Sequence, residues 1–121
     1  MADRQAVTSL VNRYRIVVAA NDGPKGCALM YSVLAESVVE DNPQPAGSHN
    51  TTCGTILTIL FKNSKRQKIF DVAKLHIMQV QIRRNEGLAL MGRHGTVKHS
   101  LEVRRERGRW RIAEINGTGM A

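Results

Sequence analysis

Aromatic side chains are scarce: one Trp, two Tyr and two Phe in 121 residues. So few rings argue against the stacking platforms on which single-strand nucleic-acid binders lay bases. Proline is limited to three residues, two of them in "VVEDNPQPAGSHN" (38–50), which therefore reads as a loop. No apolar run approaches the roughly 18–20 residues of a membrane span, and the start "MADRQAVTSL" has no basic region followed by an apolar one. A cytoplasmic protein without a membrane span is the expectation. Acidic residues are outnumbered, ten Asp and Glu against 18 Lys and Arg, for a net charge of +8. That surplus suits acidic partners, whether nucleic acid, an anionic surface or an acidic protein.

Cysteine is confined to Cys27 and Cys53. Two readings stand. They are free buried thiols in a cytoplasmic protein, or they are bridged in an exported protein whose leader has been removed. A bridge would close the segment between them and contribute ~3–4 kcal/mol through loop-closure entropy. With the four histidines, 49, 76, 94 and 99, the cysteines show none of the paired short spacings of a zinc site. No glycine-rich phosphate loop and no G-x-S-x-G elbow is present, so neither metal nor cofactor is expected. The tripeptides "NTT" (50–52) and "NGT" (116–118) fit the glycosylation sequon, which matters only in a eukaryotic secretory route.

With 42% hydrophobic and 23% charged residues, the composition is that of a globular chain. Residues 1–121 are expected to form one domain, and a chain of this size buries about two-thirds of its unfolded surface. Residues 3–20 carry apolar side chains at 7, 10, 11, 14, 17 and 18, one face of a helix, with Asp3 as its N-cap. "NDGP" breaks that helix, and Asp22 with Pro24 starts a second, about 24–36. Thr51 or Thr52 caps a third through "CGTILTILFK", which the basic "KNSKRQK" ends.

From residue 73 the period becomes two. "AKLHIMQVQIRR" alternates, but Leu75 and Ile77 are out of phase with Val80 and Ile82, which places a bulge near Met78–Gln79. "NEG", "HGT" and "ERGR" are turns between "LALMGR", "VKHSLEVRR" and "WRIAEIN". The expected plan is α+β: three N-terminal helices covering one face of a curved antiparallel four-strand meander.

This order, with "NRYRIVVAAND" closing the first helix, "CALMYSVLAES" as the second and "GRWRI" opening the last strand, resembles the nuclear transport factor 2-like superfamily, also called SnoaL-like or cystatin-like. The resemblance covers nearly the whole chain. It implies a bent sheet wrapped round the first helix so that the helices and the four-strand meander form a cone, a ligand pocket or partner at the cone's open end, and a homodimer. Small two-cysteine bacterial members are one similar subgroup; the placement of Cys27 and Cys53 at the starts of the second and third helices resembles theirs. The ketosteroid-isomerase-like enzymes are the other, through "RY", "ND" and "VED". That similarity would make Tyr14 the hydrogen-bond donor to an oxyanion and Asp41, or its neighbour Glu40, the general base. It departs where the enzymes carry a protonated carboxylic acid: the inward register here offers His99, while Glu102 points to the other face.

Each candidate has an ordinary counterpart. Tyr14 lies on an apolar helix face, where a core tyrosine hydrogen-bonded to a neighbour is the ordinary reading. Asp41 and Glu40, beside prolines, read first as solvated loop carboxylates, while His99, interrupting the apolar strand face of Val97, Leu101 and Val103, is equally a core histidine. His76, Met78, Met91 and Tyr31 would line a pocket for a small hydrophobic molecule. Arg104, Arg105, Arg107 and Arg109 form a solvated hairpin tip. Joined to Lys62, Lys65, Arg66 and Lys68 and to Arg83 and Arg84, they would make a phosphate-holding patch for nucleic acid or an acidic partner. The expected function is a non-catalytic ligand- or protein-binding module. An isomerase- or hydrolase-like enzyme using Tyr14, His99 and Asp41, and a basic accessory protein, are the alternatives.

Overall fold

The computed structural model describes residues 2–42, 52–67 and 75–117. Helix α1 (Ala2–Ala19) buries the anticipated stripe of Val7, Leu10, Val11, Tyr14, Val17 and Val18. Four of the six are valines, each costing about 0.5 kcal/mol as a helix former. Burial returns roughly 1.5–3 kcal/mol per side chain, so packing rather than propensity holds α1. The helix closes on Asn21, whose φ of 56° is left-handed. Asn21 N–H donates to Val18 O at 3.1 Å and Asp22 N–H to Val17 O at 2.9 Å, the bond pattern of a Schellman cap. Asp3 does not cap α1: the helix begins at Ala2, and the Asp3 carboxylate accepts instead from Arg105 Nη2 and Trp110 Nε1.

The second helix departs from expectation. In place of one helix over 24–36 there are two, α2 (Gly23–Ala28) and α3 (Ser32–Glu40), so the described residues contain four helices. The cause lies in strand β4 (Arg109–Gly117), an edge of the sheet. Ile112 N–H donates to Leu29 O at 2.8 Å and Tyr31 N–H to Ile112 O at 2.7 Å, so residues 29–31 add an extended bridge to that edge. An unpaired strand edge is an aggregation hazard, and covering it outweighs continuing a helix through three residues. The caps otherwise follow the sequence: Asp22 accepts from Lys25 N–H at 3.1 Å with Pro24 in the first turn of α2. Of the two threonines, Thr52 accepts from Thr55 N–H at 3.3 Å at the start of α4 (Cys53–Gln67).

Helix α2 packs on α4 at very short range, and its glycines permit it. A Cβ on Gly23 would collide with the Gly54 carbonyl oxygen, and one on Gly26 would stand 2.8 Å from Leu57 Cδ2. Gly23 N–H donates to Thr58 Oγ1 at 2.9 Å across the same contact. The Cys27–Cys53 disulfide ties the two helices covalently, with a Cα–Cα distance of 6.2 Å.

The sheet runs β1 (His76–Arg83), β2 (Glu86–Arg93), β3 (Thr96–Glu106) and β4 in sequential antiparallel order, open rather than closed into a barrel. The fold is the anticipated α+β arrangement of N-terminal helices followed by a four-strand meander. His94 and Gly95 (φ 54° and 77°), and Arg107 and Gly108 (φ 53° and 79°), supply the paired positive φ of type I′ hairpin turns. Each strand pair contains one bulge: Met78 in β1, where the broken alternation placed it, Lys98 in β3 and Ala113 in β4. Bulges bend and twist strands, which curves the sheet toward α1. Met91, Leu101, Val103, Trp110 and Ile112 face inward from it, and Tyr14 meets Phe61 of α4 edge-on at 6.0 Å.

Opening the disulfide by reduction or by Cys27→Ser/Cys53→Ser is expected to lower unfolding free energy by ~3–4 kcal/mol, measured by urea titration with and without reductant. Gly23→Ala, which forces α2 off α4, is expected to cost about 2 kcal/mol or more in the same titration.

Candidate functional site

Tyr14 and His99 are each 2% exposed, on α1 and β3. Burial pushes the Tyr14 hydroxyl pKa far above its ordinary value, so it is a neutral donor or acceptor throughout the physiological range. His99 lies opposite Met91 of β2 and Gly117 of β4. Asp41 and Glu40 are exposed at the C-terminal end of α3. Two of the three candidate catalytic residues therefore sit in the core and the third at the surface. None of them lines the grooves found on the sheet's outer face, along α1, or between α1 and α2.

The four anticipated pocket residues separate in the same way. Met91 is fully buried, whereas His76 is exposed and Met78 is 43% exposed at its bulge. The phase slip puts Leu75, Ile77, Val80 and Ile82 toward the core instead. Tyr31 is half-buried, with the Arg104 guanidinium 5.9 Å from its ring centroid.

The basic residues show a clearer organisation. In a sequential meander the β1–β2 and β3–β4 turns lie at the same end, and Arg105 N–H donates to Asn85 O at 2.8 Å, joining them directly. Arg83, Arg84, Arg104, Arg107 and Arg109 thus gather at one end of the sheet, all exposed. Lys62 is exposed on α4, while the side chains of Lys65 and Arg66, and the whole of Lys68, lie outside the described residues.

Similar side chains at this end have different tasks. Arg105 pairs with Asp3 and stacks 4.8 Å from the Trp110 ring centroid. Trp110 Nε1–H, Arg105 and the guanidinium charge together hold the Asp3 carboxyl below its ordinary pKa. Arg111 donates to Ala28 O, fastening the end of α2 to β4. Glu106 accepts from Ser32 N–H at 3.3 Å and Ser32 Oγ–H at 2.7 Å, which caps α3 from another element. Arg104 approaches Glu86 at 3.6 Å but stays half-exposed. Arg107 and Arg109 project to solvent at the tip.

On the sheet's outer face Gln81, Arg83, Glu86, Leu88, Glu102 and Arg104 line a shallow groove of about 260 Å³. Glu102 is paired directly across from Glu114. A hydrogen bond shared with Glu114, then desolvation and the neighbouring negative charge, raise the Glu102 pKa above its ordinary value. The alternation shows that Glu102 faces outward, but its partnership with Glu114 depends on the bulge at Ala113 and is not readable from spacing alone.

Opposite pH signatures follow. Glu102 binds its proton more tightly folded than unfolded, so its contribution to stability is present at low pH and is lost as pH rises through its folded pKa. Glu102→Gln should therefore raise the urea midpoint at neutral pH, with the gain disappearing in acid. Asp3 has a depressed pKa and contributes above its unfolded value, losing that contribution as pH falls; Asp3→Asn should lower the midpoint at neutral pH and converge with the parent in acid. Paired urea titrations from about pH 3 to about pH 8 check both signs. The chain matches no family model, no curated protein and no solved structure.

Proposed function

We propose that the protein is a non-catalytic binding module that docks on an acidic protein partner. The observation that carries this reading is the gathering of Arg83, Arg84, Arg104, Arg107 and Arg109 at one end of the sheet, on a chain of net charge +8. Tyr14 and His99, which an enzyme of the ketosteroid-isomerase kind would need beside its substrate, are packed in the core. The order of helices before a curved meander supports the kinship with nuclear transport factor 2-like proteins. The Cys27–Cys53 bridge supports the exported alternative, because disulfides persist in oxidising compartments.

Docking on nucleic acid is the second reading, and the same arginine convergence favours it. It would be phosphate contact without base reading, since Trp110 is 7% exposed and Tyr31 is half-buried.

Fluorescence anisotropy with labelled polyglutamate and a labelled mixed-sequence oligonucleotide tests both. Polyglutamate should bind, weaken as salt rises from about 50 to about 300 mM, and lose about tenfold in affinity in Arg107→Glu/Arg109→Glu. Tighter, steeply salt-dependent binding to the oligonucleotide would replace the acidic-protein reading with the nucleic-acid one. Salt-insensitive or absent binding to both would defeat the two together.

A further inference from the structure

Helix α1 has an isoleucine where its apolar stripe does not call for one. Ile16 lies outside the run of buried positions and is 68% exposed. A single exposed apolar side chain is ordinary. Its surroundings distinguish it: between α1 and α2 there is a groove of about 310 Å³ with Val17 at 8% exposure, Leu29 half-buried, and Ala28 and Ile16 at its margin. The remaining lining is cationic, Arg13 from α1 and Lys25 from α2. Lys25 is 3.8 Å from Asp22, yet its side chain keeps 78% of its exposure.

The groove persists because of how α2 is held. Glycine contacts and the disulfide pull α2 onto α4, and Arg111 fastens its end to β4, so none of these ties draws α2 across Ile16. A second shallow channel, lined by Arg4, Thr8, Ser9 and Asn12, runs along α1 and shares Arg13 and Ile16 with the first. From Arg4 to Ile16 the strip follows about 18 Å of helix, room for roughly three turns of another helix laid alongside. Among the described residues, every charged one lining the two channels is basic.

We infer that this strip receives an amphipathic helix of an acidic protein partner, its apolar stripe seated against Ile16, Val17 and Leu29 and its flanking carboxylates meeting Arg13, Lys25 and Arg4. Charge complementarity selects this occupant: an apolar cleft bordered by guanidinium and ammonium groups favours aliphatic side chains carried on a segment with acidic flanks over those on a basic one. The inference rests on the acidic-partner reading and assigns its apolar anchor, which the arginine end of the sheet does not provide.

The test uses the intact protein and a labelled peptide of about 18 residues, with leucines at helical spacing and glutamates flanking them. Controls are the same peptide with lysines for glutamates and one with serines for leucines. The acidic amphipathic peptide should bind at least about tenfold more tightly than either control, and Ile16→Asp or Arg13→Glu should each remove about that factor. Ile59→Asp, an exposed position on α4, should change nothing. Because the control peptides are compared on the unaltered protein, a misfolded variant does not decide the result. Equal binding of the leucine and serine peptides, or an unaffected Ile16→Asp, would overturn the groove assignment while polyglutamate binding kept the broader reading intact. Loss of polyglutamate binding as well would end both. Sedimentation showing that Ile16→Asp dissolves a dimer would assign the strip to a second copy of the chain instead.

Discussion

Curvature is the constraint on which this fold depends. Four strands make a small sheet, and it has to close around a helix whose buried stripe spans Val7 to Val18. Flat pleating would leave that stripe touching the sheet along one line. The bulges at Met78, Lys98 and Ala113, one in each strand pair, supply the bend. They also re-aim side chains: in β4 the inward phase passes from Trp110 and Ile112 to Ile115, opposite Leu101. In β1 it passes from Ile77 to Val80 and Ile82. Gly92 belongs to the same device, because a Cβ there would stand 2.0 Å from the Thr96 carbonyl oxygen beside the bulge at Lys98.

What remained readable in sequence was what local periodicity determines. The stripe on α1, the Asp22 cap, the turn at "ERGR" and the slip at Met78 are all local. The division of the second helix was not, because it results from hydrogen bonds between residues 29–31 and Ile112, some eighty positions later. The role of Asp3 is non-local for the same reason: an acidic residue near a helix start satisfies the capping rule, yet a guanidinium and an indole N–H from the far end of the chain compete for it.

The candidate site divides along the same line. Burial of Tyr14 and His99 follows from their positions on apolar faces, and both prove to be packed inside. Whether arginines gather, and which of them serve the fold, depends on register. In "RRERGR" Arg105 alone turns to Asp3 and Trp110, while the tip projects to solvent. Composition sees identical residues; pairing sorts them. Ile16 gave a quiet signal, an aliphatic residue off the helix stripe, whose significance rests on where α2 is placed.

The placement of α2 links stability to surface chemistry. Gly23, Gly26 and Gly54 remove the side chains that would keep α2 and α4 apart, and the Cys27–Cys53 bridge then fixes their approach. A larger residue at any of these glycines would press α2 away from α4. The groove beside Ile16 has α2 as one of its walls, so the same displacement would change its width. Nothing in α1 itself would need to change. The small, covalently closed contact between α2 and α4 thus sets the shape of a surface that neither the sheet nor α1 determines alone, and it does so through backbone proximity, which tolerates little variation.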